Sequence, residues 1–354
     1  MTSPQLRLTD LAHGGGCGCK IAPGVLRDIL SRTSTMVMPP ELMVGIETSD
    51  DAAVYKLNDQ QALVATTDFF MPVVDDPFDF GRIAATNAIS DVYAMGAQPI
   101  LALALVGMPV NVLSPDSIAQ ILEGGQSVCQ KAGIPVAGGH TIDSVEPIYG
   151  LVVLGLAHPS RIRTNASARA GDVLILGKPL GVGIYSSAFK KQVLNEQGYR
   201  DMVSITTQLN TPGSRLSTLD AVHAMTDVTG FGLAGHALEL ARGAKLDVHL
   251  DWHRVPLLPQ AKALAQAGCI TGASGRNQQS YFNQIDCPQS DWSDLDSALV
   301  SDPQTSGGLL VSCSASAAEE VLAIFHAEGF HQAAVIGRME QPTDSSPRVR
   351  IHSA

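Results

Sequence analysis

The distribution of apolar residues along the first half of the chain predicts alternating strands and helices. Short stretches rich in β-branched and apolar residues are typical of strands, and longer stretches with a period near 3.6 are typical of helices. The predicted strands are residues 51–57, 62–70, 99–110 and 147–159, with another at 136–143 that runs into a loop. The predicted helices are residues 23–31, 79–97 and 114–133.

The helix at 79–97 carries the clearest end signals of the chain. Asp79 suits the N-cap, and Gly96 suits the C-terminal stop. At 100° per residue, Asn87, Ser90 and Asp91 fall on one face of this helix. The side chains on this face are small and can form hydrogen bonds, which favours contact with a ligand or a metal ion. A polar face exposed to solvent is the alternative.

The pattern changes after about residue 161, so we place a domain boundary near residues 156–165. Residues 170–184 predict a strand and a Gly-rich turn, 224–244 a loop that becomes a helix, and 306–339 a strand, a helix and a strand. The polar segment 277–293 is typical of a loop. Each half mixes helices and strands, which indicates two α/β or α+β units, each with its own core.

Composition fits this division. The chain has 354 residues, enough for two domains, and 45% hydrophobic residues, enough for a sizeable core. Its net charge of -11 argues against broad nucleic-acid binding, and a phosphate ligand would need metal ions as a bridge. No stretch resembles a signal peptide or spans a bilayer, so we expect a cytoplasmic enzyme without a membrane partner.

Four aspartates lie at or near apolar segments, where an unpaired carboxylate is costly. They are Asp51, Asp68, Asp91 and Asp227. Two carboxylates about 4 Å apart repel by ~4 kcal/mol at an effective dielectric constant of about 20, and a divalent cation would relieve that repulsion. Ordinary capping and turn aspartates are the alternative interpretation.

The segment HGGGCGCK at residues 13–20 combines glycines, two cysteines and a lysine. Successive glycine N–H groups can cradle an anion, and Lys20 adds a positive charge that would favour the thiolate of a nearby cysteine. The spacing is not that of a P-loop. A floppy arm, or a soft-metal site of Cys17, Cys19 and His13, remains open as an alternative. The six cysteines include no CxxC pair, so structural zinc is not expected, and disulfides are not expected in a reducing cytosol.

Several segments together resemble the selenophosphate synthetase (selenide, water dikinase) family in order and spacing. They are HGGGCGCK, SDDAAVY, the segment 66–97, AGGHTID, MTDVTGFGLAGH and DPQTSGGLL, and they span essentially the whole chain. Aminoimidazole ribonucleotide synthetase and thiamine-monophosphate kinase share this superfamily's fold, and the GCGCK arm separates the family from them.

The resemblance implies a two-domain aminoimidazole ribonucleotide synthetase-like fold, α/β followed by α+β, whose N-terminal sheet pairs across a homodimer. Residues 1–20 would be a flexible Gly-rich catalytic arm, 21–160 the N-terminal ATP-binding domain and 161–354 the C-terminal domain. The implied reaction takes ATP, selenide and water to selenophosphate, orthophosphate and AMP, with Mg2+ as cofactor and K+ as activator. Proteins that deliver selenide or use selenophosphate are implied partners.

The resemblance also implies roles for individual residues. Cys17 would be the catalytic thiol and Lys20 the cation that faces the phosphates. Asp51, Asp91 and Asp227 would hold magnesium. The residues that would line the nucleotide, besides Lys20, are Thr48, Ser49, Asp50, Asp68, Asp91, Gly139, His140 and Thr141.

Two other functions remain compatible with the sequence. Another ATP-dependent small-molecule kinase or ligase of the superfamily would release ADP rather than AMP. A sensor that uses Cys17, Cys19 and His13 would bind metal without consuming ATP.

Overall fold

The computed structural model describes residues 7–21, 23–32, 38–45, 49–288 and 290–353. The described strands form two sheets, with the orders β1-β2-β3-β6-β4-β5 and β10-β13-β9-β12-β7-β11-β8. The strands are β1 (Leu42–Val44), β2 (Ala53–Lys56), β3 (Ala62–Phe70), β4 (Gln98–Met108), β5 (Val136–Asp143), β6 (Ile148–Ala157), β7 (Asp172–Leu176), β8 (Val222–Asp227), β9 (Asp247–Asp251), β10 (Ile285–Asp286), β11 (Leu309–Ser314), β12 (Ala334–Glu340) and β13 (Val349–His352).

Eleven α-helices are found in the described part of the chain. They are α1 (Pro23–Ser31), α2 (Pro77–Ala94), α3 (Pro115–Lys131), α4 (Val182–Lys190), α5 (Glu196–Thr206), α6 (Pro212–Leu216), α7 (Gly232–Ala244), α8 (Ala261–Gln266), α9 (Gly272–Tyr281), α10 (Asp294–Val300) and α11 (Ala318–Ala327). Short 3₁₀ turns at Leu8–Leu11 and Gly16–Cys19 precede them.

Helix α2 is the central element of the molecule. It packs on α3 and on β3 and β6, and its other side faces β8, α5 and α6 of the second half. Glycines make the α2–α3 approach possible, because a Cβ on Gly81 would lie 1.9 Å from the carbonyl oxygen of Ile121. Since α2 is buried on nearly every side, its polar residues must find partners inside the protein.

The end signals of α2 were predicted only in part. Asp76, not Asp79, is the N-cap: its side chain accepts a hydrogen bond from the N–H of Asp79 at 2.8 Å. Pro77 explains the earlier start, because its missing N–H and fixed φ suit the first helical position. The stop at Gly96 is confirmed, with φ of +78° just beyond the C-cap.

Two segments predicted as loops are regular elements. The start of 224–244 belongs to β8, whose residues are all buried beneath the N-terminal half. Most of 277–286 belongs to α9 and β10. Its polar composition was misleading because Asn277 is buried, with its amide bonded to the carbonyl oxygens of Gly230 and Ser301. The 136–143 segment is strand throughout, where a loop was expected to begin.

The other strands and helices predicted above are confirmed, with shifts of a few residues at their ends. The first sheet ends at Ala157 and the second begins at Asp172, so the predicted boundary at 156–165 falls in the connection between the two sheets. Among the described residues, no helix combines the length and apolar character that a membrane span requires.

Candidate active site

Three carboxylates from distant parts of the chain meet where the two halves join. Asp51 precedes β2, Asp91 lies on α2 and Asp227 ends β8. One oxygen from each lies within 4.8 Å of the others, and the described part of the chain contains no other such group of three His, Cys, Asp or Glu side chains. The family resemblance implied that all three residues hold magnesium, and the fold brings their carboxylates together.

The electrostatics of this cluster call for a cation. Burial raises the pKa of Asp51 well above its usual range, and the charges of Asp227 and Asp91 raise it further. The pKa of Asp91 is raised for the same reasons. The Oδ2 atom of Asp51 is buried and has no hydrogen-bond partner within the described residues. An acceptor left in this state, next to two more carboxylates, fits a hard divalent cation such as Mg2+.

A hydroxyl group holds one oxygen of each of the three carboxylates. Thr226 donates to Asp51 Oδ1 at 2.8 Å, Thr66 donates to Asp91, and Ser90 donates to Asp227. Ser90 is in turn held by the amide of Asn210 at 2.7 Å. These contacts orient the three carboxylates before any ion binds.

A cavity of about 590 Å³ opens in front of the cluster, within the size range of small-molecule sites. Ser49, Asp50 and Lys20, predicted to bind the nucleotide, line it. Asp50 is anchored by the backbone N–H of Asn165, whose side chain also donates to the carbonyl oxygen of Ser49. Thr48, predicted beside them, lies outside the described residues.

Cys17 and Lys20 reach the same place from the N-terminal segment. The Nζ of Lys20 lies 3.0 Å from Asp68 Oδ2, and Asn87 donates to that oxygen at 2.7 Å. The Sγ of Cys17 donates to Asn87 Oδ1 at 3.1 Å. Asn87 therefore joins the thiol to the Lys20–Asp68 pair. The predicted shared face of Asn87, Ser90 and Asp91 is confirmed as the side of α2 that faces the site.

Lys20 acts on Cys17 in the expected direction, toward the thiolate, but burial has the larger and opposite effect in this arrangement. Cys17 is 1% exposed, and burial raises the pKa of its thiol well above the usual value. Lys20 lowers this pKa, but burial raises it by more, and the charges of Asp68 and Asp227 raise it further. The pKa of Lys20 is itself raised, because Asp68 and other anions outweigh the opposing effect of burial. In this arrangement the ammonium is charged and the thiol is neutral.

The alternative soft-metal site of Cys17, Cys19 and His13 is not supported. His13 hydrogen-bonds to Glu146 at 2.9 Å and is 75% exposed, whereas Cys17 is buried. Cys19 donates to the carbonyl oxygen of Gly16 at 2.8 Å. In the described residues these three side chains do not converge on one point.

Gly139, His140 and Thr141 are placed elsewhere. They lie on β5, separated from β3 by β4 and β6, and their strand is exposed along nearly its whole length. Within one chain they are not among the residues that line the aspartate cavity. Their predicted role at the nucleotide remains a prediction and would require a second subunit.

Sequence reasoning assigned no role to several residues of the site. Thr305 accepts a hydrogen bond from the N–H of Cys17 at 3.1 Å, and the N–H of Ser306 donates to Asn87 Oδ1 at 2.7 Å. Both belong to DPQTSGGLL, one of the segments that carry the family resemblance, and that resemblance was the sequence signal that could have found them. His236 and Glu239 line the aspartate cavity from α7. Their spacing of three residues placed them on one helix face but did not show what that face meets.

The comparisons with known proteins agree with this geometry. Residues 49–157 match the family of AIR synthase related proteins in its N-terminal domain, and residues 169–350 match the C-terminal domain of that family. The chain is 62% identical over 352 residues to the selenide, water dikinase of Burkholderia ambifaria, covering 99% of this chain and 98% of that one. It is 63% identical to the enzyme of the same name from Pseudomonas straminea, covering 94% of each chain.

Solved structures share the fold at low identity. Thiamine-monophosphate kinase from Stenotrophomonas maltophilia superposes with a TM-score of 0.62 at 19% identity, over 93% of this chain and 96% of that one. Hydrogenase maturation protein HypE in complex with ATP gives 0.64 at 20% identity, over 89% and 87%. With two AIR synthase-like domains and near full-length identity of 56–63% to curated relatives, this chain belongs to the ATP-dependent selenide, water dikinase family.

Proposed function

We propose that this protein makes selenophosphate from selenide, ATP and water, and releases AMP and orthophosphate. One observation carries the proposal: the Asp51, Asp91 and Asp227 cluster lines the same cavity as the ammonium of Lys20, and the buried thiol of Cys17 is linked to the Lys20–Asp68 pair through Asn87. The high identity to selenide, water dikinases supports the choice of selenide as acceptor.

Asp51, Asp91 and Asp227 would hold Mg2+, which supplies positive charge that offsets the phosphates when it is bound. Ser49 and Asp50 line the cavity where the nucleotide would lie, and Thr48 precedes them in the chain. K+ is proposed as an additional activator, on the family resemblance alone.

Lys20 would act on the transferring phosphoryl group. Its ammonium is held by Asp68, and its side chain is 37% exposed, so the ammonium can turn toward a phosphate in the cavity. In the first step, selenide attacks the γ-phosphorus of ATP and ADP leaves. In the second step, water attacks the β-phosphorus and yields AMP and orthophosphate. A donor fixed beside the developing charge lowers both barriers.

Cys17 would hold or guide selenide next to the phosphate. Its thiol lies in a dry environment bounded by Asn87 and Thr305, which would keep water from competing for the phosphoryl group. Residues 1–20 are proposed as an arm that opens to admit substrate, with residues 21–160 as the ATP-binding domain and 161–354 as the second domain.

A homodimer is proposed through the N-terminal sheet. Strand β5 is an exposed edge, and Ile142 on it is 56% exposed. Exposed edges pair readily with a second chain. Pairing at β5 would bring Gly139, His140 and Thr141 of one subunit close to the partner, where they could complete a nucleotide site.

The test is to incubate the protein with ATP and Mg2+, with and without selenide, and to follow the phosphorus species by ³¹P NMR. We expect AMP, orthophosphate and selenophosphate in equal amounts, dependent on selenide. ADP as the end product would instead favour another small-molecule kinase of the superfamily, and stable metal binding without ATP consumption would favour a sensor.

A further inference from the structure

A second cavity lies on the other side of the Gly-rich segment. It has a volume of about 290 Å³ and is lined by Gly14, Gly15 and Gly18, with Thr305 and residues of α4 and α9. Cys17 belongs to this same segment, and its N–H is bonded to Thr305. Glycine-rich backbone and Thr305 therefore form the wall between this cavity and the catalytic thiol.

The two cavities carry opposite charge. The first cavity is lined by more carboxylates than cations: Lys20 lies there with Asp50, Asp51, Asp91, Asp227 and Glu239. The described residues that line the second include Lys190, Arg276 and His13 but no carboxylate. His13 is paired with Glu146, so Lys190 and Arg276 supply the positive excess.

One cation bonds to the residue just before the Gly-rich segment and the other bonds to the segment itself. The Nζ of Lys190 donates to the carbonyl oxygen of Ala12 at 3.0 Å, and Arg276 donates to the carbonyl oxygen of Gly18 at 2.9 Å. Each contact uses only part of the donor capacity of its side chain, because an ammonium has three N–H groups and a guanidinium five. Both side chains are exposed, so donors remain for a small anion in the cavity.

We propose that this second cavity is the entrance for the selenium substrate, hydrogen selenide, which is a monoanion at neutral pH. The inference rests on the function proposed above. The aspartate cavity repels a small anion that arrives without a metal ion, whereas Lys190 and Arg276 attract one. A small movement of the glycine backbone would then open a path for the hydrogen selenide anion from this cavity to Cys17. ATP and selenide would thus reach the same phosphorus from opposite sides of the segment.

The test measures initial rates of AMP formation while selenide and ATP are varied separately, at low and at high salt. Lys190→Gln and Arg276→Gln should each raise KM for selenide about 3- to 10-fold at low salt, with kcat and KM for ATP nearly unchanged. The effect should shrink at high salt because exposed charges are screened. Lys191→Gln is the matched control: this neighbouring lysine bonds to Gly268 and does not line the cavity.

A second pair of variants avoids the contacts with the segment. Ile270 lines the cavity and is 40% exposed, so a polar residue is tolerated there. Ile270→Glu should raise KM for selenide, and Ile270→Gln should not. This pair decides the question even if Lys190→Gln or Arg276→Gln fails to fold.

The outcomes separate this inference from the proposed function. If the wild type forms no AMP with selenide, the proposed function fails. If the wild type is active and KM for selenide is the same in all variants, the entrance proposal is overturned and the function stands. A fall in kcat with unchanged KM for selenide also overturns it, because that result assigns the cavity to product release.

Discussion

The Nζ of Lys20 lies 3.0 Å from Oδ2 of Asp68, a residue 48 positions further along the chain. This ion pair connects the Gly-rich segment to β3. Asn87 shares the same carboxylate oxygen and also accepts from the Cys17 thiol. A change at Lys20 therefore alters the charge around the thiol as well as the charge available to a phosphate.

Lys20→Gln should lower kcat by about 100-fold or more, because the transferring phosphoryl group loses its ammonium. The free energy of unfolding should change by less than about 1 kcal/mol, since a partly exposed ion pair contributes little to stability. Steady-state kinetics and thermal unfolding test the two parts. Lys191→Gln provides the control, and a large loss of stability in Lys20→Gln would contradict the assignment.

Asp51→Asn should abolish ATP turnover, because the metal would lose a charged ligand: Oδ2 of Asp51 has no hydrogen-bond partner among the described residues and so is free to bind a cation. The rate of AMP formation is the measurement. Asp59→Asn removes the same charge from an exposed position that pairs with Lys56, and should retain full activity. Wild-type turnover in Asp51→Asn would remove Asp51 from the site.

Asp51→Asn also tests how the stability of the folded protein depends on pH. Because the pKa of Asp51 is raised in the folded protein, a proton binds the folded state more tightly than the unfolded chain. The resulting stabilisation is present below the normal carboxyl pKa and is lost as pH rises through the folded pKa. At neutral pH without metal, Asp51→Asn should unfold at a temperature ~1–3 °C above the wild type. Mg2+ should stabilise the wild type but not the variant, and an equal Mg2+ effect on both would argue against the cluster as the metal site.

Cys17→Ser should keep the fold and lose selenide-dependent AMP. The serine hydroxyl can still donate to Asn87, but it cannot replace sulfur chemistry. Because the Cys17 thiol is buried and its pKa is raised, alkylation of the wild type should modify Cys17 more slowly than Cys19. Mass spectrometry of alkylated peptides measures this order. Full activity of Cys17→Ser would show that the thiol is dispensable.

Ile142→Glu should produce a monomer, because a charge on the exposed edge β5 opposes pairing with a second sheet. If Gly139, His140 and Thr141 act across the dimer, KM for ATP should rise with the loss of the dimer. Sedimentation velocity and ATP kinetics test both points. Val193→Glu changes another exposed apolar residue, 57% exposed, in the second half and should remain dimeric.

The sequence by itself determined the alternation of strands and helices, the division into two halves and the polar face of α2, and the family resemblance named the three aspartates that the fold brings together. Local patterns sufficed for these because helix and strand periods, as well as the Asn87–Asp91 face, depend on near neighbours along the chain. They failed where burial was not visible locally, as at Asn277 and at β8, whose polar or mixed composition looked like loop.

Only the tertiary structure decided what the chemical groups do to one another. The neutral state of the Cys17 thiol depends on desolvation by elements far along the chain, including Thr305, and no neighbour in the sequence reports it. Likewise, the separation of an acidic cavity from a cationic one across a few glycines results from the packing of the segment between two domains. Long-range contacts set solvent exposure and local charge, and these set the chemistry.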